Sequence, residues 1–176
     1  MLSNPSLLRL NVGFIVNQSI GYSRDFPFEI PSYSYPNELN LTDLSGLATI
    51  SRTTEGLLVQ VKGQAWLEIE CVSCLDNFNK MLQFDFIEMY TFPSNADQDT
   101  EMILPDDSQI DLSPLIREYL HLDIPINPIC KPDCQGLCPI CGENLNQSSC
   151  QHDDEVSDPR FEVLKTLLDD DPPSAL

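Results

Sequence analysis

The sequence predicts an α+β protein: an antiparallel β-sheet of about five or six strands with one packed helix, a zinc-knuckle loop region and a short C-terminal helix. Three observations predict this fold. Apolar and polar residues alternate over several long segments, as in strands that bury one face. One segment repeats its apolar residues at helical spacing. Seven cysteines and a histidine stand at short spacings that are typical of metal ligands.

The first part of the chain predicts strands around one irregular connection. Residues 8–14 alternate apolar and polar side chains, and residues 26–30 do so around a proline, which favours an edge strand. Proline, serine, tyrosine and asparagine dominate residues 31–43, which predicts an irregular connection. Residues 44–53 predict another strand, and a turn follows at residues 55–56.

A long hairpin is the clearest prediction. From residue 57 to residue 71 every second residue is apolar or small, which predicts a long antiparallel strand. Residues 78–90 predict its partner, and a change in the apolar phase predicts a β-bulge near Phe86. Cys71 and Cys74 would then lie at the tip of the hairpin.

An acidic loop and a helix are predicted next. Residues 94–107 are polar and acidic, and Ser113 with Pro114 predicts the N-cap and first turn of a short amphipathic helix. Packing against the sheet is the favoured role of its apolar stripe, over a groove for a partner: Leu112, Leu115, Ile116, Tyr119, Leu120 and Leu122. His121 lies in this helix and is expected to be a packed or surface histidine, not a ligand.

These elements predict three parts of the chain. Residues 1–127 would form the sheet domain with its helix, and residues 128–168 a cysteine-rich zinc-binding subdomain with a closing helix. The closing helix would begin at Asp158 and Pro159. Residues 169–176 are expected to be a disordered tail, because they have too few apolar side chains to offset the entropy of ordering.

The charge restricts the class of partner. Twenty-eight acidic against nine basic residues give a formal net charge of −19. This charge disfavours direct nucleic-acid binding and anionic membrane surfaces, and favours a basic protein partner. A surface that only keeps the protein soluble is the alternative. No apolar run is long enough to span a bilayer and no signal peptide is recognised, so the sequence predicts a cytoplasmic protein.

Metal binding explains the cysteines better than disulfides do, because an odd number of thiols cannot pair fully and no export signal is recognised. The Cys138–Cys141 spacing is typical of a zinc knuckle, and Cys150 with His152 completes a tetrahedral set. Four cysteines remain for a second site: Cys71, Cys74, Cys130 and Cys134. The alternative is a single site made by the two C-x-x-C pairs: Cys71, Cys74, Cys138 and Cys141.

The expected metal is therefore one or two Zn²⁺ ions in a structural role. Iron would suit four thiolates equally well by spacing, but the histidine favours zinc. A thioredoxin-like role for Cys71 and Cys74 is disfavoured, because that chemistry needs a pair at the start of a helix. The ligands suffice to close every site, and the sequence shows no nucleophile elbow, phosphate loop or HExxH helix, which predicts a non-enzymatic protein.

The chain resembles the YceD family, formerly a domain of unknown function and described as a large ribosomal RNA subunit accumulation protein. The resemblance spans most of residues 44–168 and lies in four segments: CVSCL after the long strand, IDLSPLIREYLHLDIPI, CKPDCQGLCPICGENLN and DPRFEVLKTL. Many members have Cys-x-Cys where this chain has Cys150-Gln151-His152, an exchange that zinc tolerates. Some relatives lack much of the cysteine cluster, which suggests that metal supports the fold and not the shared activity.

The resemblance implies a role in large-subunit ribosome biogenesis, in the processing or accumulation of 23S rRNA. Together with the charge, it favours an accessory factor that engages a basic ribosomal protein or assembly factor. Two alternatives stay open at this point. One is a zinc-dependent hydrolase or nuclease, and the other is an adaptor unrelated to ribosomes whose acidic loop, residues 97–111, docks a basic protein.

Overall fold

The structure is a computed structural model that describes residues 7–36, 38–97 and 100–150. Antiparallel sheet dominates these residues, and helices are few. The elements follow each other in this order: β1 (Arg9–Asn11), α1 (Gly13–Val16), β2 (Ser23–Ser34), β3 (Asn40–Arg52), β4 (Gly56–Glu70), β5 (Asn77–Thr91), β6 (Gln109–Asp111) and α2 (Ser113–Asp123). The strands form two sheets and not the single sheet that the sequence predicts.

The larger sheet is a four-stranded antiparallel meander with the strand order β2-β3-β4-β5. The predicted long strand is confirmed as β4, because buried Val59, Val61 and Ala65 alternate with more exposed residues such as Lys62 and Gln64. The buried residues of β4 join the main hydrophobic core. The edge position predicted from Pro27 is also confirmed, since β2 is the first strand of this sheet.

The smaller sheet joins two distant parts of the chain. Strand β1 pairs antiparallel with β6, and Leu10 stands opposite Ile110. The strand predicted over residues 8–14 is wrong beyond residue 11, because the chain turns into α1 at Gly13. Strand β6 was not predicted, since three residues are too few to show an alternation.

The irregular connection predicted over residues 31–43 is much shorter in the structure. Strand β2 continues to Ser34 and β3 begins at Asn40, with Ser32 opposite Thr42. Prolines misled the prediction, although an edge strand tolerates them because its outward N–H groups need no partner strand.

The bulge predicted near Phe86 is wrong. The register between β4 and β5 runs without a shift along both strands, and Ile87 is simply exposed at 57% on the face opposite Phe86. The irregularity lies in β3 instead, where the register shifts between Thr42 and Ser45 and Asp43 has a φ of 50°.

Helix α2 packs against β5, as predicted. Leu115, Ile116 and Leu120 are buried, and the Tyr119 ring stacks on the Phe86 ring with centroids 4.6 Å apart. Leu122 does not belong to this stripe, because 80% of it is exposed.

The start of the helix also differs from the prediction. Leu112, not Ser113, is the N-cap, and no side chain caps it. The Asp111 carboxylate accepts hydrogen bonds from the Ser113 N–H at 2.9 Å and from its hydroxyl at 2.6 Å.

The chain divides into two compact units, of which the first ends at Cys134 and the second begins at Gln135. Residues 128–134 thus belong with the sheets, whereas the sequence analysis groups them with the zinc-binding subdomain from residue 128. The predicted closing helix at residues 158–168 and the tail at 169–176 lie outside the described residues. Among the helices that the structure describes, none is long and apolar enough to cross a membrane.

Candidate metal centres

The tip of the β4–β5 hairpin forms a tight knuckle, which we call the first knuckle (residues 71–76). The Cys71 N–H donates to the Asp76 carbonyl at 3.0 Å, and the Leu75 N–H donates to the Cys71 carbonyl at 2.9 Å. Leu75 adopts a φ of 61°, in the left-handed region. These bonds turn the chain sharply enough to bring the Cys71 and Cys74 sulfurs together, as the predicted hairpin tip requires.

A second segment from the same unit completes this centre. The Val72 N–H donates to the Pro128 carbonyl at 2.9 Å, and the Cys130 N–H donates to the Cys71 sulfur at 3.4 Å. Four sulfurs then lie within 4.8 Å of one another, and we call them the first cluster: Cys71, Cys74, Cys130 and Cys134.

The distances between the sulfurs of the first cluster fit tetrahedral coordination of one ion. The Cys71 and Cys134 sulfurs are 3.9 Å apart, and the Cys74 and Cys130 sulfurs are 3.6 Å apart. Four thiolates at about 2.3 Å from one zinc would be separated by about 3.8 Å along each edge of the tetrahedron. Both observed separations are far longer than a disulfide bond, which is about 2.05 Å.

Backbone amides favour a thiolate in the first cluster. Burial raises the pKa of Cys71, but hydrogen bonds from the backbone N–H groups of Cys74, Cys130 and Ser73 outweigh burial and lower this pKa to about 6. At Cys74 a hydrogen bond from the Asp76 N–H lowers the pKa, but burial and the neighbouring thiols outweigh this bond and raise the pKa to about 12. The backbone amides thus favour the thiolate at Cys71, whereas a cation would be needed to balance the charge of further thiolates beside it.

The second knuckle (residues 138–143) repeats the backbone of the first. The Cys138 N–H donates to the Glu143 carbonyl at 2.8 Å, and the Gly142 N–H donates to the Cys138 carbonyl at 2.9 Å. Gly142 has a φ of 75° at the position that corresponds to Leu75. Glycine is the residue that accepts this conformation without steric cost.

Three sulfurs meet in the second knuckle, and we call them the second cluster: Cys138, Cys141 and Cys150. The N–H groups of Cys141 and Ile140 lower the pKa of Cys138 to about 7 against the effect of burial. A hydrogen bond with Cys138 and burial raise the pKa of Cys150 to about 11. His152, the predicted fourth ligand, lies outside the described residues.

The structure gathers the cysteines into two groups that could hold metal ions. All seven lie in the described part of the chain, and each is a free thiol. Cys71 and Cys74 belong to one of these groups, and Cys138 and Cys141 belong to the other. Ligation of an ion by these residues stays a prediction. His121 is an exposed histidine with its Nε2 3.5 Å from Glu38 Oε2, as expected for a surface residue.

Two features of these centres were missed at the sequence level. The hydrogen bond between Val72 and Pro128 joins segments far apart in the chain, and no local sequence pattern predicts it. The left-handed backbone of Leu75 was missed as well, because leucine rarely adopts it. Comparing the two C-x-x-C pairs would have found it, since Gly142 follows one pair and Leu75 the other.

Residues 59–168 match the sequence profile of a family described as "Large ribosomal RNA subunit accumulation protein YceD". The matched segment contains all seven cysteines. It also contains β4 from Val59 onward, β5 and α2. No solved structure matches the chain.

Several curated proteins are similar to the chain. An uncharacterized protein of Mycobacterium tuberculosis is 34% identical over 123 residues, which is 68% of this chain and 59% of the relative. The chain thus spans well under two thirds of the length of this mycobacterial protein. A Zea mays protein named "Large ribosomal RNA subunit accumulation protein YCED homolog 1, chloroplastic" is 49% identical over 43 residues, 24% of this chain and 15% of the plant protein. Its Arabidopsis thaliana namesake is 40% identical over 63 residues, 36% of this chain and 20% of that protein.

Proposed function

The chain belongs to the YceD family, and from this premise we propose that it is a non-enzymatic accessory factor in the accumulation of large-subunit ribosomal RNA. It acts through a basic protein partner, a ribosomal protein or an assembly factor, and holds structural zinc. The observation that carries the proposal is the family match across both cysteine clusters, together with the names of the plant relatives.

Zinc in this proposal is a structural cross-link. The first cluster would hold one ion through four sulfurs, which leaves no open position for water or substrate. The second cluster would hold another through three sulfurs and His152. When bound, each ion ties its thiolates together and contributes binding free energy to folding. The backbone amides that lower the pKa values of Cys71 and Cys138 prepare these sulfurs for that role.

The partner class follows from charge. A net charge of −19 repels phosphate and attracts a cationic protein, so contact with rRNA would be indirect. Such a partner could be a basic ribosomal protein before its incorporation into the subunit. Cytoplasmic location is part of the same proposal.

Depletion in the organism that encodes the chain tests the biological role. We expect the ratio of 23S to 16S rRNA to fall and free large subunits to decrease in sucrose gradients. Wild-type chain should restore both, whereas Cys74→Ser should not. Ile87→Ser, at an exposed position of the sheet, is the matched control and should restore them fully. An unchanged rRNA ratio after full depletion contradicts the proposed role.

Metal analysis tests the structural role of the clusters. Chain purified without chelator should contain about one or two zinc atoms, by elemental analysis. Cys74→Ser and Cys141→Ser should each lose the ion of their own cluster only. Preparations that carry no zinc, or an iron–sulfur absorbance in its place, would contradict this part of the proposal.

One observation keeps a hydrolase or nuclease open as a second candidate. Cys141 in the second cluster is exposed, and an ion held there by the three sulfurs without His152 would keep the open position that is typical of catalytic zinc. Incubation of the zinc-loaded chain with large-subunit RNA precursor, analysed on denaturing gels, decides between the two. Cleavage that depends on Cys141 would establish the enzyme, and intact RNA supports the accessory factor.

A further inference from the structure

Three aliphatic side chains are exposed around the first cluster, and we call them the tip patch: Val72, Leu75 and Ile129. Val72 and Leu75 lie on either side of Cys74 in the first knuckle. The hydrogen bond between Val72 and Pro128 brings the neighbouring Ile129 to the same place. About half of each residue is exposed, whereas Cys71 and Cys74 of the same knuckle are buried.

Leu75 is unfavourable in two ways. Its φ of 61° costs a residue with a Cβ roughly 1–2 kcal/mol, and its side chain is 54% exposed, so burial does not compensate that cost. The second knuckle shows that glycine forms the same hydrogen bond at the corresponding position, Gly142. The fold therefore does not require leucine here, and a reason outside folding is needed.

The charges around the tip patch restrict what could cover it. Segments 70–76 and 126–134 carry three exposed acidic side chains, Glu70, Asp76 and Asp133, and one exposed basic side chain, Lys131. Four thiolates with one zinc in the first cluster would add a charge of about −2. An apolar patch inside an acidic rim is complementary to an apolar side chain that is flanked by lysines or arginines.

We propose that the tip patch is the docking site for the basic protein partner, with Leu75 as the central apolar contact. The partner buries an aliphatic or aromatic side chain against the patch, and its cations face the acidic rim. This inference rests on the proposed function for the class of partner and adds the surface that binds it. Exposed Leu75 would then be retained for binding at the expense of stability.

The test uses the full-length, zinc-loaded chain immobilised on a sensor surface, and total large-subunit ribosomal proteins freed of rRNA as the probe. Leu75→Gly should weaken retention of the bound protein at least about tenfold, as expected for a central contact. Leu75→Asn also tolerates the left-handed backbone and serves as a second variant. The matched control is Ile87→Asn, which removes an equally exposed apolar side chain from β5 and should bind like wild type.

Stability provides a second readout that a merely structural role would move in the opposite direction. Leu75→Gly should raise the midpoint of thermal unfolding by about 2 °C, because it relieves the left-handed strain. The same variant therefore unfolds later and binds less. Leu75→Asn does not add the unfolded-state entropy of glycine, so a lower midpoint for that variant would mean that Leu75 packs within the chain and would overturn the inference.

The remaining outcomes are also decisive. If the wild type and both Leu75 variants retain the same basic proteins equally, the partner class survives and the docking site is wrong. Retention of no large-subunit protein by the wild type overturns both proposals. Leu75-dependent binding of purified rRNA, or Leu75-dependent self-association in analytical ultracentrifugation, would show a different occupant and overturn the inference.

Discussion

The two knuckles have the same backbone and opposite surroundings. In both, the residue in the left-handed conformation donates its N–H to the carbonyl of the first cysteine at 2.9 Å. The N–H of that cysteine in turn donates to the carbonyl of the last residue of the knuckle, Asp76 or Glu143. The first knuckle buries Cys71 and Cys74, whereas in the second Cys138 is buried and Cys141 is exposed. The residue at the left-handed position also differs, being Leu75 in one and Gly142 in the other.

The clusters also differ in what they connect. The first joins thiols as far as 63 residues apart, from the tip of the large sheet to the segment after α2. The second joins thiols from Cys138 to Cys150 within one loop. The comparison teaches that one local motif can serve two purposes. With an ion bound at each cluster, the first knuckle would link the sheet unit across a long loop, and the second would organise only its own loop.

The largest expected difference between the two knuckles is the loss of stability when one thiol is removed from each cluster. Cys74→Ser should lower the free energy of unfolding of the sheet by on the order of 10 kcal/mol, because the variant loses an ion whose binding contributes about that much to folding. Cys141→Ser should change the same transition by less than about 0.5 kcal/mol. Urea unfolding followed by the fluorescence of Trp66, the single tryptophan, measures both. Stripping zinc from all samples should abolish the difference, and equal losses in both variants would contradict the distinction.

The next largest effect is expected on zinc affinity when the residue with the left-handed backbone is replaced. Gly142→Leu should weaken zinc binding at the second cluster about tenfold, since a left-handed leucine costs about 1–2 kcal/mol. Within the described part of the chain, no atom beyond Gly142 and its two neighbours lies within 4 Å of the position that a Cβ would take at Gly142, so the backbone conformation is the main expected cost. Competition with a chromophoric chelator measures the affinity. Ile140→Ala, in the same knuckle, is the control and should leave it unchanged.

The order of zinc release should differ by a smaller margin. With an excess of chelator, zinc should leave in two phases, and the second cluster should release its ion several-fold faster because Cys141 is exposed. Cys141→Ser should remove the fast phase and Cys74→Ser the slow one. A single phase in the wild type would argue that accessibility does not control release.

Local patterns in the sequence predicted the elements that local physics determines. Two patterns can be recognised in the sequence: the alternation that makes β4, and the helical stripe that buries Leu115, Ile116 and Leu120. The knuckle spacing likewise indicated which sulfurs act as local pairs. The sequence did not show which distant segment meets the hairpin tip, because a loop of about 60 residues constrains its ends weakly. The sequence therefore left the partners of Cys71 and Cys74 open, and the fold brings the sulfurs of Cys130 and Cys134 to the hairpin tip.

The errors have physical reasons of the same kind. Ile87 misled the prediction of a bulge, because hydrophobicity alone does not show that an apolar side chain is exposed. The shift at Asp43 does have an apolar signal, since the buried residues change from odd positions (Leu39 and Leu41) to even positions (Leu44 and Ala48) across it. It was missed because residues 31–43 were predicted to be an irregular connection. Strand β6 exists only because β1 lies beside it, with Leu10 opposite Ile110.

The span of the first cluster has a consequence for synthesis. Cys71 leaves the ribosome 63 residues ahead of Cys134, an interval of about 3 to 12 s at roughly 5–20 residues per second. During that interval the nascent hairpin carries two thiols without their partner segment. Capture of an ion by all four sulfurs would therefore follow formation of the hairpin, and a chain made during zinc starvation would expose this pair to oxidation before the later cysteines arrive.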